Sequence, residues 1–205
     1  SPSDVPWTGA VGGRERVGQQ LLDASFESRP GRLATTRLVV NIEPKHLPPG
    51  ATDADRHAAQ LADAYMNRQY LDPALLGRYP DELREVFGPA WPDWPQAEVE
   101  SLREPLDWLG LNYYTRAVVR ADPQAWPVPA APQRQPGAIY TETGWELHPQ
   151  SLTDTLLWMH QRYGGLPLMV TENGAAFPDP PVALDGRVDD PLRVHYLRTH
   201  LQTVQ

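Results

Sequence analysis

Leu166-Pro167-Leu168-Met169-Val170-Thr171-Glu172-Asn173-Gly174-Ala175-Ala176-Phe177 is an apolar run that ends in a carboxylate followed by a turn. Short, nearly continuous in apolar side chains and closed by Asn173-Gly174, it reads as a strand buried on both faces, as in a parallel sheet. Glu172 then stands where such a strand leaves the sheet. In α/β architectures that carboxyl-terminal edge is where chemistry is placed, because loops vary there over a rigid base. A solvated turn glutamate would look the same in isolation, so the rest of the chain has to decide.

Just upstream, Ser151 with Asp154 three positions later marks a helix start, Leu152, Leu156, Met159 and Tyr163 form its core stripe, and Gly164-Gly165 ends it. Downstream, a Pro/Asp/Gly loop runs to Asp189. Asp190 as N-cap and Pro191 at the first helical position then start a last helix, with Val194, Leu197 and Leu201 on its buried face. Two further strands precede this unit. Leu38 to Ile42 carries Asn41 near its end, and Leu106 to Tyr114 ends in Asn112, Tyr113 and Tyr114. Between them Thr52 and Asp55 form a capping box for a helix over about residues 53–69, and a loop follows, framed by Asp72-Pro73 and Arg78-Tyr79-Pro80. Short helices come next at Asp81 to Phe87 and Gln96 to Arg103, around a Trp91-Pro92-Asp93-Trp94-Pro95 turn whose indoles read as packing. Asp122 to Pro136 holds five prolines in fifteen residues and reads as a long extended loop. Strands alternating with helices argue for a parallel sheet with helical crossovers.

Composition narrows the function. With 205 residues the chain can build a real core, but a complete eightfold barrel usually takes roughly 250. A net charge of −8 and the lack of a basic run interleaved with aromatics argue against nucleic acid as a partner. No apolar run approaches the roughly 20 residues of a membrane span, and there is no cysteine for disulfides or thiolate metal sites. The chain reads as soluble and cytoplasmic, with a neutral or small-molecule partner. Seven Trp and eight Tyr against three Phe supply flat faces with one polar atom, which suit sugar or protein surfaces.

If the three strands are parallel, Asn41, the Asn112 to Tyr114 group and Glu172 gather at one rim. A carboxylate there can attack an electrophilic carbon, a phenol can hydrogen-bond and tune it, and amides can hold hydroxyls. No metal or other cofactor is expected: His195 and His200 are five apart, off the i, i+4 spacing of a helical ligand pair, and read as exposed. A Gly-x-Ser-x-Gly elbow and a Gly-rich phosphate loop are both missing.

These residues carry a resemblance. Thr171-Glu172-Asn173-Gly174-Ala175-Ala176, followed by Asp185-Gly186-Arg187-Val188-Asp189-Asp190, resembles the nucleophile region of glycoside hydrolase family 1, the β-glucosidases and their relatives. Asn67-Arg68-Gln69-Tyr70-Leu71-Asp72-Pro73, Gly77-Arg78-Tyr79-Pro80, Asp107 to Thr115, Glu142-Thr143-Gly144-Trp145-Glu146 and Tyr196 to Leu201 resemble that family in the same order. The resemblance covers about residues 37–205. It implies a partial (β/α)8 TIM barrel, about strands five to seven with their helices, preceded by an N-terminal arm (1–36) of unclear structure. It also implies retaining hydrolysis of β-glycosides, with a small β-glucoside or oligosaccharide as substrate. In that scheme Glu172 attacks the anomeric carbon, Tyr114 hydrogen-bonds Glu172, and Asn41 and Asn112 line the catalytic subsite.

The family's general acid/base lies in a Thr-x-Asn-Glu-Pro motif that this sequence does not show. Asn41-Ile42-Glu43-Pro44 carries an extra residue, and one step along a strand sends a side chain to the other face. The expectation is therefore a partial chain lacking the acid/base, with open sheet edges on both sides. Self-association or a partner chain would complete its barrel. The alternative is a non-catalytic sugar-binding or structural module derived from such a barrel.

Overall fold

A computed structural model describes residues 37–103, 105–182 and 185–204. The expected arm over residues 1–36 lies outside the described residues. The sheet at the centre has three parallel strands, β1 (Arg37–Ile42), β3 (Trp108–Tyr113) and β6 (Leu168–Glu172), in the order β1-β3-β6. A second sheet pairs β2 (Lys45–His46) parallel to β4 (Ala117–Ala121), and β4 antiparallel to β5 (Ala130–Pro132).

Six α-helices are found among the described residues: α1 (Asp53–Asp63), α2 (Gln69–Leu76), α3 (Glu82–Phe87), α4 (Gln96–Ser101), α5 (Gln150–Tyr163) and α6 (Pro191–Thr203). The capping box of α1 is present, with Thr52 Oγ1 accepting from the Asp55 N–H and the Asp55 carboxylate accepting from the Thr52 N–H. The helix expected over 53–69 changes pitch at Ala64–Arg68, a π-helical turn, and resumes as α2. Pro73 therefore lies inside α2 rather than in a loop, and Gly77, with φ 67°, ends the helix. None of these helices is long and apolar enough to cross a membrane.

Alternation along the strands divides the sheet into two unlike faces. Leu38, Val40 and Ile42 of β1, with Leu109, Leu111 and Tyr113 of β3, pack against Leu71 of α2 and Leu152, Leu156 and Met159 of α5. Burying each large side chain there stabilises the fold by about 1.5–3 kcal/mol. The opposite face is open, with Val39 43% exposed, and on β6 even Val170, which is level with Leu111 on the core side, is 37% exposed. The reading of β6 as buried on both faces is thus corrected. It is the edge strand of its sheet, and no second layer covers that face among the described residues.

Three further expectations change. Part of the proline-rich stretch 122–136 is strand β5, an edge position where proline is tolerated. Trp91 packs edge-on against Tyr79 at 5.4 Å, but Trp94 is half exposed. On α6, Val194, Leu197 and Leu201 face outward, and Tyr196 and His200 are the residues buried. Tyr196 offers a larger ring and a hydroxyl that finds partners beneath the helix, which outweighs the aliphatic stripe.

Candidate active site

The register of the central sheet sets three of the expected site residues on one level. Asn41 pairs with Asn112, and Asn112 pairs with Glu172. That last pairing depends on a bulge: Leu111 faces Val170, Asn112 faces Glu172, and Thr171 is the extra residue. A bulge of this kind re-aims the side chains beside it. Thr171 and Glu172 both reach the side chains at the end of β3. Thr171 Oγ1 donates to Asn112 Oδ1 at 2.7 Å, and the Tyr114 hydroxyl donates to Glu172 Oε2. Gly110 makes room for this, since a Cβ there would lie 2.9 Å from Val39 Cγ2 and 3.0 Å from Thr171 Cγ2.

Asn41, Asn112 and Tyr114 line a cleft of about 960 Å³, together with Glu43 and Trp145. The Trp145 indole lies 5.0 Å from the Tyr114 ring, tilted by 37°. Its loop is fixed from below. The Glu146 carboxylate takes a two-point ion pair from Arg116, at 3.0 and 2.9 Å, and the Glu146 carbonyl accepts from Thr115 Oγ1. The Thr141 N–H donates to the Trp145 carbonyl, and the Trp145 N–H donates to Thr141 Oγ1. Hydrogen bonding to the Glu172 carboxylate, foremost, raises the Tyr114 pKa above its ordinary value. Holding the proton on the phenol keeps Tyr114 a donor to the carboxylate.

Glu43 also reaches the cleft, but its carboxylate is engaged by the buried Lys45 ammonium. Asn67 grips the same residue through the backbone: its Oδ1 accepts from the Glu43 N–H and its Nδ2 donates to the Glu43 carbonyl. Asn67 is supplied by the π-helical turn and is fully buried. The rest of that sequence motif is scaffolding. Arg68 bonds Asp63, Glu82 and the Gln60 carbonyl, while Asp72 accepts from Arg162 and from the Tyr163 hydroxyl. Burial disfavours the Arg68 charge, yet Asp63 and Glu82 more than offset it and raise its pKa.

Asn173, Trp145 and Tyr196 are the neighbours of the site that sequence reasoning did not single out. All three lie within the stretches that carry the family resemblance, so a signal existed for each, but locally Asn173 reads as a turn residue. Tyr196 was hidden by the more apolar stripe on α6. His200, expected on an exposed face, is buried, with Nδ1 2.8 Å from the Tyr196 carbonyl.

The model of glycosyl hydrolase family 1 matches residues 33–205. A bifunctional β-D-glucosidase/β-D-fucosidase of Bifidobacterium breve is 38% identical over 167 residues, which cover 73% of this chain and 36% of that protein. The thermostable β-glucosidase B of Thermobispora bispora is 39% identical over 158 residues, covering 73% and 32%. Among solved structures, a β-glucosidase from Exiguobacterium marinum superposes with a TM-score of 0.74 at 30% identity, covering 82% of this chain and 38% of that one. The chain spans about a third of the length of the curated relatives it matches. The structural neighbours are α/β barrels, so the three parallel strands and their helices are a part of that barrel, as expected from the sequence.

Proposed function

Because the chain belongs to glycosyl hydrolase family 1, we propose that it carries the nucleophile half of a retaining β-glucosidase site, with Glu172 as the nucleophile. One observation supports this above the others: the Tyr114 hydroxyl donates to Glu172 Oε2 across 58 residues of sequence, at the carboxyl end of a parallel sheet. In the proposed reaction a Glu172 oxygen forms a bond to the anomeric carbon as the bond to the departing oxygen breaks. Water then releases the sugar and restores the carboxylate. Tyr114 holds Glu172 in place and gives up part of its hydrogen bond as the carboxylate charge is consumed. Asn41 and Asn112, one strand apart on the same rung, are proposed to bind sugar hydroxyls. Trp145, partly exposed over the cleft, offers a flat face to a sugar or aglycone ring.

The departing oxygen needs a proton from a second carboxyl group roughly 5–5.5 Å from the first. We assign that role to no residue described here, since the Glu43 carboxylate is taken up by Lys45. The acid/base belongs instead to barrel segments that full-length family members have. Completion of the barrel by such segments is part of the proposal. It is supported by the outer edges of β1 and β6, unpaired among the described residues, by the open sheet face with Val39, and by the outward Leu197 and Leu201 of α6, 43% and 62% exposed.

The test uses an aryl β-glucoside whose phenolate leaves without protonation, so that only the nucleophile is probed. Phenolate release in a burst of up to about one equivalent per chain, lost to background in Glu172→Gln, is the expected result, since the water step would lack its base. Binding without phenolate release would replace the proposal with a non-catalytic sugar-binding module. Sedimentation showing a monomer at all concentrations would rule out self-association as the way the barrel is completed.

A further inference from the structure

We propose that Asn173 and Tyr196 are positioning residues that clamp the ends of β3 and β6 together and thereby set the Tyr114–Glu172 contact. The inference rests on the reading of that pair as the working part of the site.

The need for a clamp follows from the sheet. Glu172 is the last residue of β6 and Tyr114 lies one past the end of β3. Regular pairing between the strands is broken by the bulge just before this point. Beyond it, two side chains take over from the ladder. Asn173 Nδ2 donates to the Tyr113 carbonyl at 2.9 Å, and the Tyr196 hydroxyl donates to the Tyr114 carbonyl at 2.8 Å. Asn173 Nδ2 also donates to the Tyr196 oxygen at 3.1 Å, which closes the circuit. Both amide protons of Asn173 are thereby used, and the Tyr196 hydroxyl accepts one hydrogen bond and donates another.

The anchor itself is rigid. Tyr196 is 1% exposed and its ring stacks on His200 at 4.0 Å, with an interplanar angle of 29°. His200 is in turn bonded to the Tyr196 carbonyl. Burial foremost pushes the Tyr196 phenol up to about 12, so it stays protonated and able to donate at neutral pH. Helix α6 thus hands its position to the β3 end, and Asn173 hands it on to the adjoining Glu172. A displacement of about 1 Å at a reacting group is enough to cost about a hundredfold in rate.

The test reads the contact rather than the activity. The full chain, labelled with [4-13C]tyrosine, is titrated with pH and the Tyr114 signal assigned by its loss in Tyr114→Phe. In the native protein it should titrate above ordinary tyrosine, and Glu172→Gln should bring it back. Tyr196→Phe, which removes one oxygen, and Asn173→Ala should each abolish at least half of that upward shift while the far-UV spectrum is kept. Asn173→Ser provides a milder second variant, expected to lose less of the shift than Asn173→Ala. A Tyr114 titration unchanged in folded Tyr196→Phe and Asn173→Ala overturns the inference, as does a native Tyr114 that titrates at its ordinary value. An intact clamp with no phenolate release would fail the proposed function alone, so the two outcomes stay separate.

Discussion

Acid should destabilise the layer beneath the site through His46. Nε2 of this half-buried imidazole lies 3.1 Å from Ser151 Oγ, which is 2.7 Å from Nδ1 of His148, and the two rings are 6.0 Å apart. Burial foremost, then the charges of Arg116 and His148, lower the His46 pKa from 6.5 to about 3. His148 shifts in the same direction, again chiefly by burial and then by Arg116, with Glu146 and Asp154 opposing. The folded state therefore keeps the neutral ring, while the unfolded chain takes up a proton once the pH falls below 6.5. More protons are then bound in the unfolded state, so this stability is present above pH 6.5 and is lost as the pH falls towards 3. At about 1.4 kcal/mol per unit the full loss is at most about 5 kcal/mol, and less as far as water reaches the half-buried ring. A domain stable by about 5–15 kcal/mol would feel it. Urea unfolding at a series of pH values, for the native chain and for His46→Gln, measures it. Below about pH 6 the native curve should fall more steeply, by up to about 1 kcal/mol per pH unit. Parallel curves would refute the reasoning.

Other substitutions follow from the same packing. Gly110→Ala places a Cβ within 3.0 Å of Thr171 and Val39, so it should cost about 1–3 kcal/mol in thermal unfolding and disturb the Thr171–Asn112 bond. Asp72→Ala leaves the mostly buried Arg162 and the Tyr163 hydroxyl without their carboxylate. It should cost about 3–5 kcal/mol in urea unfolding, because an unpaired buried charge remains.

The sheet and its polar rim were legible because apolar runs ending in Asn41, Asn112 and Glu172 are a local pattern. The pairing of Asn112 with Glu172 was not, since it depends on a bulge at Thr171 whose only trace in the sequence is Gly110, and that glycine acquires meaning once Val39 and Thr171 flank it. Caps were read well where the side chain has no competing use, as at Thr52 and Asp190. Ser151 was read as a cap and is not one. The helix begins one residue earlier, and the hydroxyl is drawn to His46 and His148 instead. Helix α6 misled because Val194, Leu197 and Leu201 form a clean stripe, yet the stripe marks a surface left uncovered and Tyr196 turns inward. The stretch from Asn67 to Pro73 carries the family resemblance without a role assigned to its residues, and Asn67, Arg68 and Asp72 brace the scaffold around the cleft.

The most direct test of the account is covalent. A 2-deoxy-2-fluoro β-glucoside with a dinitrophenolate leaving group needs no acid and traps the glycosyl-enzyme. Intact mass followed by peptide mapping should find one fluoroglucosyl group per chain, on Glu172, and none in Glu172→Gln. A label on another residue, or a chain that binds the sugar and stays unlabelled, would contradict the assignment of Glu172 as the nucleophile.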